Sequence, residues 1–201
     1  MSSHPDEHLE IERMLFFSDA VFAIAITLLA LELKVPAQSV VTSENQLGQT
    51  LLGMLLVVIG FAWSFLLIGQ TWIEHHRIGK FLTGTDRGLL WWNLFLLFFV
   101  ALMPFTTALI SEYFVSPIAT IIYAAGFSGL SLCKVGLWRH AQSKGLIKGD
   151  RAETHEIGRR IWASPLVSLS VVLLAWVGVP YAYFGFLLIP VVARILSRGL
   201  R

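Results

Sequence analysis

Cysteine is nearly absent. Cys133 is the single one in 201 residues, which excludes an intrachain disulfide and a cysteine-built metal cluster within one chain. Charge is scarce as well: Asp, Glu, Lys and Arg make up 14% of the chain, against about 25% in an ordinary soluble domain. With 56% hydrophobic residues and a formal net charge of +2, the composition is that of an integral membrane protein and argues against a nucleic-acid partner. Several signatures are missing. Without Thr-Val-Gly-Tyr-Gly there is no carbonyl-cage pore of the conventional potassium-channel kind. Without His-Glu-x-x-His, Gly-x-Ser-x-Gly or a Walker loop, the usual enzyme chemistries and their cofactors are not expected. Arginines do not recur at every third position of a helix, which speaks against a voltage sensor. The first dozen residues are polar and acidic, and no small-residue cleavage site follows the first apolar run, so no cleavable signal peptide is expected.

Long apolar runs are what the chain does have. A helix needs about 20 apolar residues to cross a hydrocarbon core of roughly 30 Å. Six segments qualify: Phe16–Leu33, Leu47–Ile73, Leu89–Ile110, Pro117–Trp138, Ile161–Val179 and Tyr181–Leu196. The expectation is therefore an all-α fold, one six-helix transmembrane domain over residues 1–201. Lys and Arg gather on one of its two sides. Arg77, Lys80 and Arg87 follow segment two. Arg139, Lys144, Lys148, Arg151, Arg159 and Arg160 follow segment four, and Arg194, Arg198 and Arg201 end the chain. The loops after segments one, three and five carry almost none, Lys34 excepted, which puts both termini in the cytoplasm. The loop Pro36–Gln46 falls on the far side, Gln142–Glu156 reads as a charged, partly helical connector, and Gly178-Val179-Pro180 as a tight turn. Central ionisable residues are nearly missing from segments two to six. Pro104 predicts a kink in segment three.

The most informative stretch is Arg13 to Leu33, where Arg13, Ser18 and Asp19 sit at the start of an otherwise apolar helix. Ionisable groups at the edge of a membrane-spanning helix are costly unless paired, so their default reading is a functional or assembly site. Further along, Ile24, Leu28 and Leu31 form a stripe at i, i+4, i+7, with Thr27 beside it, and Ala20, Ala23 and Ala30 read as the opposite, close-packing side. The stripe has two readings: lipid-facing or core side chains, as on any membrane helix, or a ring of apolar groups that narrows a pore and gates by dewetting.

Asp19 needs a partner. Trp72, His75, His76 and Arg77 end segment two, with Trp72 and His76 on one face, and Asp86 and Asn93 flank the entry to segment three. A buried cluster of Arg13, Ser18, Asp19, His76, Asp86 and Asn93 would satisfy itself, either as structural glue or as a proton- or ion-sensing device. His75 and His76 together are a weak metal motif, lacking a carboxylate at ligand spacing.

Arg13-x-x-x-Phe17-Ser18-Asp19 resembles the signature that opens the first helix of the endosomal/lysosomal potassium channel family, transmembrane protein 175. The continuation AVFAIAITLLALEL, the Trp72-x-x-His75-His76-Arg77 segment and Asp86…Asn93…Pro104-Phe105 are similar to that family as well. The likeness runs over all six segments and, with one six-helix unit, is that of a prokaryotic member. It implies a homotetramer in the cell membrane whose first helices line a central pore, conducting potassium over sodium as a leak channel without a carbonyl filter. By position from Phe17-Ser18-Asp19, it implies Ile24, Leu28 and Leu31 as constriction residues and Thr27 as a selectivity residue. Arg13, Phe17, Ser18, Asp19, Trp72, His76, Asp86 and Asn93 would form the signature and inter-helix network. The implied partners are potassium ions, the lipid bilayer and further copies of the chain. The competing reading is a proton- or cation-coupled secondary transporter, which would want ionisable groups at mid-membrane and alternating halves. An intramembrane enzyme on His75, His76 and Asp86 would lack a nucleophile at workable spacing, and a purely structural scaffold would show no flux.

Overall fold

The computed structural model describes residues 5–37, 43–179 and 181–198. Residues 38–42 of the polar loop, Pro180 of the expected turn and Arg201 of the basic C-terminal group lie outside the described residues. Within them the chain is all-helical. Eight α-helices run α1 Pro5–Leu28, α2 Glu44–Gly53, α3 Leu55–Gly79, α4 Arg87–Glu112, α5 Pro117–Ser143, α6 Arg151–Arg160, α7 Ala163–Trp176 and α8 Ile189–Arg198, with 3-10 turns at Leu29–Glu32 and Ala182–Leu188. An isolated bridge, Leu82 with Ile147, ties the loop before α4 to the loop after α5.

Five stretches are long and apolar enough to cross a membrane: His8–Glu32, Val57–Gly79, Arg87–Glu112, Pro117–Ser143 and Arg151–Trp176. Their limits differ from the apolar runs for physical reasons. The first helix starts well before Phe16, because Ile11 and Met14 recur at helical spacing among polar residues and bury themselves against Ile78, Leu82 and Trp138. The second run is broken at Met54, and its first part opens on Ser43, whose hydroxyl accepts the Gln46 N–H at 3.3 Å. The fifth span starts before its apolar run, at Arg151, with α6 and α7 meeting at Ile161 and Trp162. Helix α4 continues through Pro104.

The sixth run corrects the expectation most. Tyr181–Leu196 is not one long helix but a 3-10 turn followed by the shorter α8. Gly178 takes φ 77° and Tyr181 φ 59°, the left-handed region that stops a helix. The aromatic side chains that follow then cluster instead of spiralling: Tyr183 and Phe184 meet Phe114 at ring-centroid distances of 5.0 and 6.4 Å.

Helix α5 is the centre of the bundle, packed between α4 and α7, while α1 lies on α3 and α4. Two glycines let α4 and α5 approach. A Cβ on Gly129 would stand 2.4 Å from the Phe99 ring, and one on Gly136 would stand 2.5 Å from the Trp92 ring. Without a hydrophobic driving force between helices in lipid, such close van der Waals contact is what holds them. A second apolar cluster, containing Ile11, Ile78, Leu89, Trp138 and Ile157, closes the end of the bundle where the basic loops gather.

Candidate pore helix and its polar anchors

Helix α1 divides cleanly into two faces. Ile11, Met14, Ser18, Phe22, Ala25 and Leu29 recur every three or four residues and are all buried in the bundle. The other side presents Phe17, Ala20, Ile24, Thr27, Leu28 and Leu31, and nothing in the single chain covers it: Ile24 is 58% exposed and Leu31 68%. Ala23 and Ala30 are exposed too, so the expectation that Ala20, Ala23 and Ala30 pack opposite the aliphatic stripe is corrected. At about 100° per residue they fall beside the stripe or on it, and the opposite face belongs to Ser18, Phe22, Ala25 and Leu29.

The single polar cluster expected of Arg13, Ser18, Asp19, His76, Asp86 and Asn93 is corrected to three separate sets, with Arg13 in none of them. In the first, Ser18, Asn93 and His75 join α1, α4 and α3. The Asn93 amide donates to Ser18 Oγ at 3.0 Å, and His75 Nε2 lies 2.8 Å from Asn93 Oδ1. The Ser18 hydroxyl also reaches the Met14 carbonyl at 2.8 Å. All three side chains are almost wholly buried, and His75 packs its ring on Phe22, centroids 5.7 Å apart. In the second set, Trp72 Nε1 donates to Asp19 Oδ1 at 2.7 Å, and the Trp72 indole stacks on His76 at 5.8 Å. Asp19 thus finds its partner in the indole, not in Arg13, which is exposed and makes no ion pair among the described residues of the single chain.

The third set holds Asp86, away from Asn93. Its carboxylate accepts the Leu89 N–H at 2.7 Å, capping α4, and meets His140 Nε2 at 2.8 Å. The capping N–H of Leu89 holds the Asp86 carboxyl below the ordinary carboxylate range; partial burial opposes this, and His140 adds to it. His75 and His76 turn to different partners, and among the described residues no three His, Cys, Asp or Glu side chains gather as a metal site would require.

One pair is missing from the sequence reading. Lys134, fully buried in α5, is bonded to Glu74 of α3, whose other oxygen accepts from Gln70 at 3.2 Å. A lone lysine inside Pro117–Trp138 was the available signal, because an ionisable residue amid a spanning helix demands a partner. Glu74 escaped notice by sitting one residue past the end of the second apolar run.

Five helices long and apolar enough to cross a membrane, the first anchored by polar groups on one side and bare on the other, define a multi-pass membrane protein, and its relatives are ion channels. The family model described as endosomal/lysosomal potassium channel TMEM175 matches residues 13–104. A protein of Chamaesiphon minutus described as a potassium channel is 38% identical over 154 residues, 75% of this chain and 75% of its own length. Another, from Streptomyces collinus and likewise described as a potassium channel, is 32% identical over 89% of this chain and 93% of its own. The crystal structure of a lysosomal potassium-selective channel TMEM175 homolog from Chamaesiphon minutus superposes with a TM-score of 0.79 at 32% identity, covering 94% of this chain and 96% of that one. The chain belongs to the TMEM175 family: it is a multi-pass membrane protein of an ion-channel family and not an enzyme.

Proposed function

We propose that the chain is a potassium-over-sodium leak channel: a homotetramer of a single transmembrane domain over residues 1–201, with four copies of α1 around a central pore. In this reading the chain crosses the membrane six times, the sixth passage being the 3-10 turn and α8, and both termini face the cytoplasm of a cell carrying it in its plasma membrane. The observation that carries the reading is the bare stripe from Phe17 to Leu31 on a helix whose other face is fully engaged. A row of unpartnered Ile and Leu beside a threonine suits a narrow lumen repeated by symmetry. The relatives described as potassium channels supply the ion.

The mechanism follows from hydration. Rings of Ile24, Leu28 and Leu31 offer no polar partner, so an ion must shed part of its water to pass. Potassium, larger and less tightly hydrated than sodium, loses less by doing so, and no carbonyl cage is needed. Thr27 sits between the rings. Its hydroxyl proton is spent on the Ile24 carbonyl at 2.9 Å, so the oxygen lone pairs are what it offers the lumen, an arrangement fit for a cation. Ile24 forms the gate. Ser18, Asp19, Trp72, His75, Asn93, and Asp86 through the α4 cap, hold the bundle that positions it. Arg13, exposed at the same end, is left to meet a neighbouring copy or the headgroups.

The buried Glu74–Lys134 pair favours a second reading, a proton- or cation-coupled carrier, since ionisable groups inside the membrane are what such proteins use. A relative from Danio rerio, matched over 22% of its length, is described as a proton channel. Reconstitution in liposomes under opposed potassium and sodium gradients separates the readings. Currents too large for a carrier cycle, reversing near the potassium potential, are expected. Solute-coupled counterflow without such currents would replace the channel by a carrier and remove α1 from the pore.

A further inference from the structure

A groove of about 580 Å³ runs between α3, the end of α6 and α8. One end carries Arg160 and Arg194, neither in an ion pair among the described residues. The rest is walled by Trp63, Leu67, Phe186 and Ile189. Glu74 also lines it, but both its oxygens are engaged, by Lys134 and by Gln70, so its charge is neutralised from behind. The net field at the polar end is that of two guanidinium groups. From Glu74 to Trp63 the groove follows α3 for about 16 Å at 1.5 Å per residue. That is about half of a roughly 30 Å hydrocarbon core, the depth of one leaflet.

We propose that this groove holds one anionic phospholipid, its phosphate on Arg160 and Arg194 and an acyl chain along Trp63, Leu67, Phe186 and Ile189. Each part of the site matches a part of the ligand. Guanidinium groups bind phosphate oxygens through a planar fork of N–H donors, which a neutral rim would not provide. The wall below is apolar over one leaflet's depth. The position is where membrane physics puts such a lipid, since basic pockets between helices at the Lys- and Arg-rich side recruit anionic headgroups. Charge complementarity, with a cation pair left unanswered by the chain, argues for a lipid over a second copy of this chain, which offers apolar surface but would have to bring a carboxylate to the same spot.

The purified protein, stripped of co-purified lipid in detergent and titrated with phosphatidylglycerol or phosphatidylcholine, tests the proposal by native mass spectrometry. Wild type is expected to retain phosphatidylglycerol about tenfold or more over phosphatidylcholine, since both carry a phosphate but only phosphatidylglycerol is net anionic, the choline cation cancelling the charge that the two guanidinium groups would answer. The double variant Arg160→Gln with Arg194→Gln should lose most of that preference, and Arg160→Lys with Arg194→Lys should keep a weakened form of it. Inorganic phosphate in excess should not displace the lipid, because it lacks the chain. Equal retention of the two lipids by wild type overturns the proposal without any variant. So does an undiminished preference in the glutamine variant. A glutamine variant that changes oligomeric state on size exclusion while its lipid preference stands would assign the groove to contact between copies instead.

Discussion

Replacing Asn93 by Leu removes the residue through which three helices meet. Asn93 is 3% exposed, accepts from His75 and donates to Ser18. After the change Ser18 keeps its bond to the Met14 carbonyl, so the group left stranded is His75. The Nδ1 of that ring already has no partner, and the substitution takes the partner of Nε2 as well. A buried donor stripped of its acceptor costs about 1–3 kcal/mol in soluble proteins. In membranes side-chain hydrogen bonds average about 0.6 and reach about 1.7, because the unfolded chain in lipid finds substitutes. The network being wholly buried, the expected loss is about 1–2 kcal/mol, up to or beyond the roughly 1.4 kcal/mol that makes a tenfold change in the folded-to-unfolded ratio. Reversible unfolding in mixed detergent–lipid micelles, followed by tryptophan fluorescence, reads this directly. The double variant Asn93→Leu with His75→Phe should recover much of the loss, since a phenyl ring at His75 needs no partner and can stay on Phe22. A single variant as stable as wild type, or a double variant no better than the single, would refute the idea that unpaired polarity is what the network prevents.

Ile24→Asn should wet the proposed constriction and raise single-channel conductance; unchanged currents would remove Ile24 from the gate. Thr27→Val keeps the shape and deletes the oxygen, so the reversal potential in mixed potassium and sodium should move toward zero, and an unmoved potential would leave Thr27 no part in selectivity. Lys134→Met leaves the Glu74 carboxylate buried without its cation, a loss of about 3–5 kcal/mol in the same unfolding assay, which Lys134→Met with Glu74→Leu should largely restore. The Asp86 carboxyl is held below its ordinary value, so the cap is fully stabilising above about pH 4 and is lost as pH falls through the lowered value. In Asp86→Asn, which still caps but carries no charge, the acid limb of thermal stability against pH should flatten.

The apolar runs made all five long spans legible because burial in lipid and burial in the bundle both ask for the same residues. They failed where only one partner is present. Ile11 and Met14 extend α1 into a polar region, and a hydropathy window averages them away. The stretch after Tyr181 is apolar enough for a helix, yet left-handed residues at Gly178 and Tyr181 and the stacking of aromatics on Phe114 set its course. The faces of α1 followed from the 3.6-residue period, except that small residues were read as a packing side when their angles put them beside the stripe. The identities of the polar residues were legible; their pairing was not. Asp19 and Trp72 are 53 positions apart, Asp86 and His140 54, and which donor meets which acceptor is decided only by how the helices cross.

The Ser18–Asn93–His75 contact has a consequence for the orientation of α1 about its own axis. Apolar surfaces allow a helix to turn against its neighbours by small slips, because one methyl group substitutes for another. A directional bond does not, and Ser18, donated to at 3.0 Å, fixes the azimuth of α1 as a key fixes a shaft. Since adjacent residues differ by about 100° in azimuth, a rotation of that size would carry Ala23 or Ala25 to the place now held by Ile24. The width of the proposed aperture would therefore be indexed by a serine about 9 Å from Ile24 along the axis, by the 1.5 Å rise per residue, and not by the ring of Ile24 itself.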